Sequence, residues 1–186
     1  MNLLKYWRNE IPENIKTNRL TNALFLIYLI AIVWILLFKL NVHFSYMGTR
    51  RSINFIPFGQ PLILNGKIDI SEVILNVLVF VPLGIYAGIL FNRWIIGKKI
   101  LLFFLVSLII EGCQFISGLG LADITDIIDN TLGGIIGLMI YIGIEKVFND
   151  SFKAQKFINI LATLGTLFMI LFLFLLKTNN LWLRYQ

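Results

Sequence analysis

Five long stretches with almost no charge constrain this chain more than any other feature. Leu20–Phe38, Val73–Phe91 and Phe157–Leu176 contain no Asp, Glu, Lys or Arg. Ile100–Ala122 contains one, Glu111, and Ile127–Ile144 contains one, Asp129. Each is long enough to cross a hydrocarbon layer of about 30 Å as a helix. A closed barrel would instead show alternating segments of about 10 residues. Across its 186 residues the chain is 58% hydrophobic and only 14% charged, whereas a soluble domain is about 45–50% apolar and about 25% charged. The expected fold is all-α, a polytopic membrane helical bundle of about five transmembrane helices. The first stretch is too long for a secretory signal and is read as a retained helix. Residues 1–19 then form a basic N-terminal segment, 20–176 the transmembrane bundle, and 177–186 a short tail.

Lys and Arg near helix ends set the expected orientation. Lys5, Arg8, Lys16, Arg19, Arg93, Lys98, Lys99, Lys146, Lys153 and Lys156 fall on one side; Lys39, Arg50, Arg51, Lys67, Lys177 and Arg184 fall on the other. The richer side holds the N-terminus, which places it in the cytoplasm and the C-terminus outside. The net charge of +6 fits attraction to anionic headgroups. Nucleic-acid binding is not expected, because basic tracts interleaved with aromatics are absent.

Much familiar chemistry is excluded. Cys113 is alone, so there is no disulfide or CxxC pair, and it is expected to be a small buried packing residue. His43 is the single histidine, which removes His/Cys zinc clusters. Nothing positions His43 with Ser45 or Ser52 as a catalytic relay.

The informative residues are polar ones within the apolar stretches. A carboxylate at mid-membrane costs about 2.5–3.5 kcal/mol on insertion scales, so it marks a candidate functional site. On the third stretch Ser107, Glu111, Gln114 and Gly118 share one helical stripe. At the start of the fourth, Asp123, Asp126, Asn130, Gly133 or Gly134, Gly137 and Tyr141 form another. Asn76, Phe80 and Gly84 lie on one side of the second, which also contains Pro82. Gly84-x-x-x-Gly88 and Gly133-x-x-x-Gly137 allow close helix approach, and bulk at Gly133 is expected to separate the third and fourth helices. With alternating spans, the three stripes should meet at one depth in the outer half of the membrane. Arg50, Arg51 and Asn54 in the preceding outer loop are natural counter-groups. The plainer alternative is a hydrogen-bonded network that only fixes packing.

Arg51-x-x-Asn54-x-x-Pro57-Phe58, Asn76-x-x-x-Phe80-x-Pro82-x-Gly84, Glu111-x-x-Gln114 and Asp123-x-x-Asp126-x-x-x-Asn130-x-x-Gly133-x-x-x-Gly137 occur in this order. Together they resemble the VanZ-like family over about residues 50–144. The resemblance implies a small integral protein of the bacterial cell (plasma) membrane, linked to low-level resistance to the glycopeptide teicoplanin. Many members carry a basic residue just before the first aspartate, and Gly118–Ala122 has none. Asp129 stands where an apolar residue is usual, so no family role is carried onto it.

The leading expectation is a binding or shielding protein rather than an enzyme. Its outward polar pocket of Arg50, Arg51, Asn54, Asn76, Glu111, Gln114, Asp123, Asp126 and Asn130 would hold an envelope lipid or glycopeptide. Pro82, Gly84, Gly133, Gly134 and Gly137 would serve helix packing. No cofactor is required. The main alternative is a metal-assisted enzyme acting on a lipid or envelope precursor, with Glu111, Asp123, Asp126 and Asp129 as oxygen ligands for a divalent cation. A proton-coupled carrier relaying through Glu111 is less favoured, because no inverted repeat of broken helices is present.

Overall fold

The computed structural model describes residues 3–38, 53–54, 56–57, 63–64, 67–68, 71–117 and 122–178. Its helices are α1 (Leu3–Phe38), α2 (Ser71–Leu90), α3 (Ile96–Ser117), α4 (Ile124–Phe148) and α5 (Ser151–Thr178). Four two-residue ladder pieces accompany them: β1 (Ile53–Asn54), β2 (Ile63–Leu64), β3 (Lys67–Ile68) and β4 (Ala122–Asp123). The fold is all-α, and each of the five helices contains a segment long and apolar enough to cross a membrane, with mean hydropathy between 1.5 and 2.4. The chain is therefore a multi-pass membrane protein. Leu78, Ile109, Ile116 and Met139 leave most of their side chains exposed. In water that much apolar surface would be a liability; in a bilayer it is the lipid-facing side.

Several helix boundaries differ from those of the expected stretches. The third helix begins at Ile96, taking Lys98 and Lys99 into its first turn, and ends at Ser117 rather than Ala122. Ala122 instead pairs with Ile53 in a parallel ladder, alongside Asn54 with Asp123. Glycines at 118 and 120 are poor helix formers, which favours an early stop. The fourth helix starts at Ile124, three residues before the expected point. β2 and β3 pair antiparallel, with Leu64 opposite Lys67. The dipeptide between them is Asn65-Gly66, the sequence favoured by two-residue hairpins.

The chain divides into two compact units, residues 28–147 and residues 1–27 with 148–186. In the larger unit, Phe80, Leu83, Tyr86 and Ala87 of α2, Phe103 and Ile110 of α3, and Leu138 and Tyr141 of α4 are buried. Glycine brings α2 and α4 into backbone contact. A Cβ on Gly84 would strike the Gly134 carbonyl and the Leu138 amide, and one on Gly137 would strike the Val81 carbonyl. A Cβ on Gly133 would strike the Val77 carbonyl and Phe80. Gly133 thus packs on the second helix, not on the third as expected; Gly134 is the glycine that receives Phe103 of α3. Pro82 lies inside α2 and withholds one intrahelical donor. Nearby, the Tyr28 hydroxyl donates to the Val79 carbonyl at 2.8 Å.

The smaller unit is held by a polar ladder between α1 and α5. Gln155 Nε2 donates to Thr21 Oγ1 at 2.7 Å and to Asn18 Oδ1 at 3.0 Å. Thr21 Oγ1 shares its proton between the Thr17 carbonyl at 2.9 Å and Asn159 Oδ1 at 3.1 Å. Asn159 Nδ2 donates to the Thr17 carbonyl at 3.3 Å. At the start of α5, Asp150 Oδ1 accepts from the Phe152 amide at 2.8 Å and the Lys153 amide at 3.3 Å. This is an N-cap. The preceding Asn149 has φ 51°, the left-handed conformation that often ends a helix and that Asn tolerates.

Candidate functional site

Three helices of the larger unit bring their polar stripes together. Asn76 Nδ2 on α2 donates to Asp126 Oδ1 on α4 at 2.8 Å. Asn130 Nδ2 on α4 donates to Ser107 Oγ on α3 at 2.9 Å. Glu111 Oε2 on α3 accepts from the backbone N–H of Asp123 at 3.3 Å. Asp123 extends the cluster outward, its Oδ2 accepting from Asn54 Nδ2 at 3.1 Å. The β1–β4 ladder sets this last contact, because it places Asn54 directly opposite Asp123.

Burial makes the cluster unusual. Glu111 is 3% exposed, Asp126 7% and Asp129 4%; Asn76, Gln114, Asn130 and Ser107 are also buried. A carboxylate turned toward acyl chains would have no compensation, and Glu111 is turned inward as expected. In the bonds given above, every carboxylate accepts, from side-chain amides or a backbone amide. Asn130 Oδ1 is buried and accepts no hydrogen bond among the described residues.

Some of these groups have local tasks. Asp123 Oδ1 accepts from the Thr125 amide at 2.8 Å, so Asp123 is the N-cap of α4. Asp126 lies in the first turn of that helix, where negative charge complements the helix dipole. Asn54 Oδ1 accepts from the Ile56 amide at 3.1 Å, closing a side-chain turn. Among the described residues no three His, Cys, Asp or Glu side chains are grouped to hold a metal ion. Asp123 and Asp126 direct oxygens at Thr125, Asn54 and Asn76.

Arg50, Arg51, His43, Ser45, Ser52 and Gly118 lie outside the described residues. Cys113, expected in the interior, is exposed on α3. Its position follows from the helix: Glu111 and Gln114 face inward, and Cys113 falls between them on the other side.

Asp129 is buried beside Asn130, although no family role is carried onto it from the resemblance. Its signal was present, a lone carboxylate in an apolar run. Ser107 belongs to the α3 stripe, yet its bond to Asn130 becomes evident only from the helix register. The Thr17, Thr21, Gln155 and Asn159 ladder was missed entirely. Each helix shows an i, i+4 polar pair, but each pair straddles the start of an expected span.

Comparison with known proteins agrees with the motifs. The family model described as VanZ/LLP1 matches residues 25–149. The chain is 32% identical over 156 residues to Protein VanZ of Enterococcus faecium, covering 83% of this chain and 91% of that protein. No solved structure matches it. With the ordered polar blocks, the five apolar helices and this match over most of its length, the chain belongs to the VanZ-like family.

Proposed function

We propose that the chain is a cell-envelope protein whose cluster between α2, α3 and α4 faces outward and binds or shields an envelope lipid or glycopeptide, conferring low-level tolerance to teicoplanin-type antibiotics. One observation carries this reading: Glu111, Asp126 and Asp129 are buried together with Asn76 and Asn130 in a membrane-spanning unit. Packing alone rarely recruits so many carboxylates, since each is costly to insert. The excess of Lys and Arg at the N-terminal side supports an outward orientation for Asp123 and Asn54. Arg50 and Arg51 complete the proposed recognition group in sequence. A metal-assisted reaction is less favoured, because Asp126 accepts from the Asn76 amide and Asp123 from the Asn54 and Thr125 amides.

The test is a pair of nearly isosteric changes, Glu111→Gln and Asp126→Asn, in a susceptible host expressing the protein. Each should abolish the teicoplanin tolerance that the parent confers and leave its amount in the membrane unchanged. A network serving only to pack helices should survive both, because amides still hydrogen-bond and such bonds average only about 0.6 kcal/mol in membranes. Full tolerance in both variants would reject a functional role for the acidic cluster.

A further inference from the structure

Pro82 interrupts the hydrogen-bond ladder of α2. It has no N–H to offer the Leu78 carbonyl, and its ring crowds that carbonyl, which forces the two turns apart. In a membrane the freed groups must find partners within the protein or in ordered water. Here α1 supplies one. The Tyr28 hydroxyl donates to the Val79 carbonyl at 2.8 Å and accepts from the Leu83 amide. Those two groups are the acceptor and donor of the ladder step that follows the one Pro82 removes. A side chain inserted into the ladder at a proline gives the helix two causes of bending at one place. The Tyr28 ring lies beside Tyr86, with centroids 5.8 Å apart, so it is steadied from beyond the break.

The break divides α2 into halves with different tasks. Before it lies Asn76, whose amide donates to Asp126. Beyond it lies Gly84, seated against the Gly134 carbonyl and the Leu138 amide of α4, which anchors that half. The cluster itself is closed: Asn76, Glu111, Asp126 and Asn130 are at most 7% exposed. A molecule of lipid or glycopeptide size cannot reach them until an element moves. Of the three helices that form the cluster, α2 alone contains a proline.

We infer that α2 is a hinged helix latched by Tyr28. When the hydroxyl releases Val79 and Leu83, the half bearing Asn76 tilts away from α4 and admits the ligand to Asp126 and Asn130. The admission role rests on the ligand-binding reading of the cluster; the hinge does not. Tyr28 touches no ligand and is a positioning residue that acts through Asn76.

Pulsed electron paramagnetic resonance on the full chain in lipid nanodiscs tests this, with spin labels placed in a Cys113→Ser background. Ile74→Cys with Leu132→Cys reports the half of α2 that carries Asn76; Ile89→Cys with Met139→Cys reports the other half. Tyr28→Phe keeps the ring and removes the latch. It should raise the longer-distance population of the first pair roughly fivefold, the weight of one net hydrogen bond, and leave the second pair unchanged. Pro82→Ala returns an amide donor to the ladder, so it should shrink that population, and Tyr28→Phe added to it should have little effect. A residue that only packs would show no such dependence on Pro82. Teicoplanin added to the parent protein should enrich the longer population. Unchanged distances in Tyr28→Phe, an equal shift in both pairs, or the same shift with and without Pro82 would each overturn the hinge. A hinge that responds to Tyr28→Phe but not to teicoplanin would overturn the admission role. The tolerance of Glu111→Gln and Asp126→Asn judges the binding reading separately, since it does not depend on these distances.

Discussion

Asp123 serves two partners with two oxygens, one for the α4 backbone at Thr125 and one for the Asn54 amide. The two tasks separate by substitution. Asp123→Ala removes both and should lower stability by at least the ~1 kcal/mol typical of a lost N-cap. Asp123→Asn keeps an oxygen for the cap but sets an NH₂ group against that of Asn54, so its loss should be smaller. Unfolding of the purified protein in detergent, followed by circular dichroism, reads the order. Equal losses would mean that the cap contributes nothing measurable. At this scale the sequence was most legible where polarity interrupts an apolar run, as at Asn76, Glu111 and Asn130. It was least legible where the deciding neighbour lies on another helix. Ser107 is an ordinary mid-span serine until α4 brings Asn130 within 2.9 Å of it.

At the scale of helices, glycine sets which pair packs closest. Gly84, Gly133 and Gly137 each abut backbone atoms across the α2–α4 contact, whereas a Cβ on Gly143 would meet nothing within 4 Å. Gly84→Leu and Gly133→Leu should each eliminate most folded protein, because overpacking against backbone cannot be relieved by a rotamer change. Gly143→Leu should be tolerated. Fluorescence-detected gel filtration of tagged variants measures the monodisperse fraction, and an equal yield from all three would contradict the contact. The small-residue spacing announced that close approach was intended, but not its partner. Residues 133 and 134 are adjacent glycines facing different helices, and only their rotation about α4 assigns one to α2 and the other to α3. Helix ends were misread for a similar reason. Charge at Lys98 and Lys99 suggested a loop, while the backbone of α3 already begins at Ile96.

For the molecule as a whole, apolar length alone specified five spans, because a bilayer leaves few other ways to satisfy the backbone. Orientation rests on the Lys and Arg count and can be measured directly. In a Cys113→Ser background, needed because the native thiol is exposed, a cysteine at Lys67 should react with an impermeant thiol reagent outside intact cells. One at Lys98 should react only after permeabilisation. The reverse pattern would turn the acidic cluster toward the cytoplasm. The pairing of Asn54 with Asp123 also imposes a schedule on biosynthesis. These residues are 69 positions apart, so at about 5–20 residues per second the ribosome needs roughly 3–14 seconds to pass from one to the other. During that interval α2 and α3 are made while the amide of Asp123, which Glu111 accepts, does not yet exist. A chain that stalls before Asp123 presents the Glu111 carboxylate without the amide that Asp123 supplies to it in the finished fold.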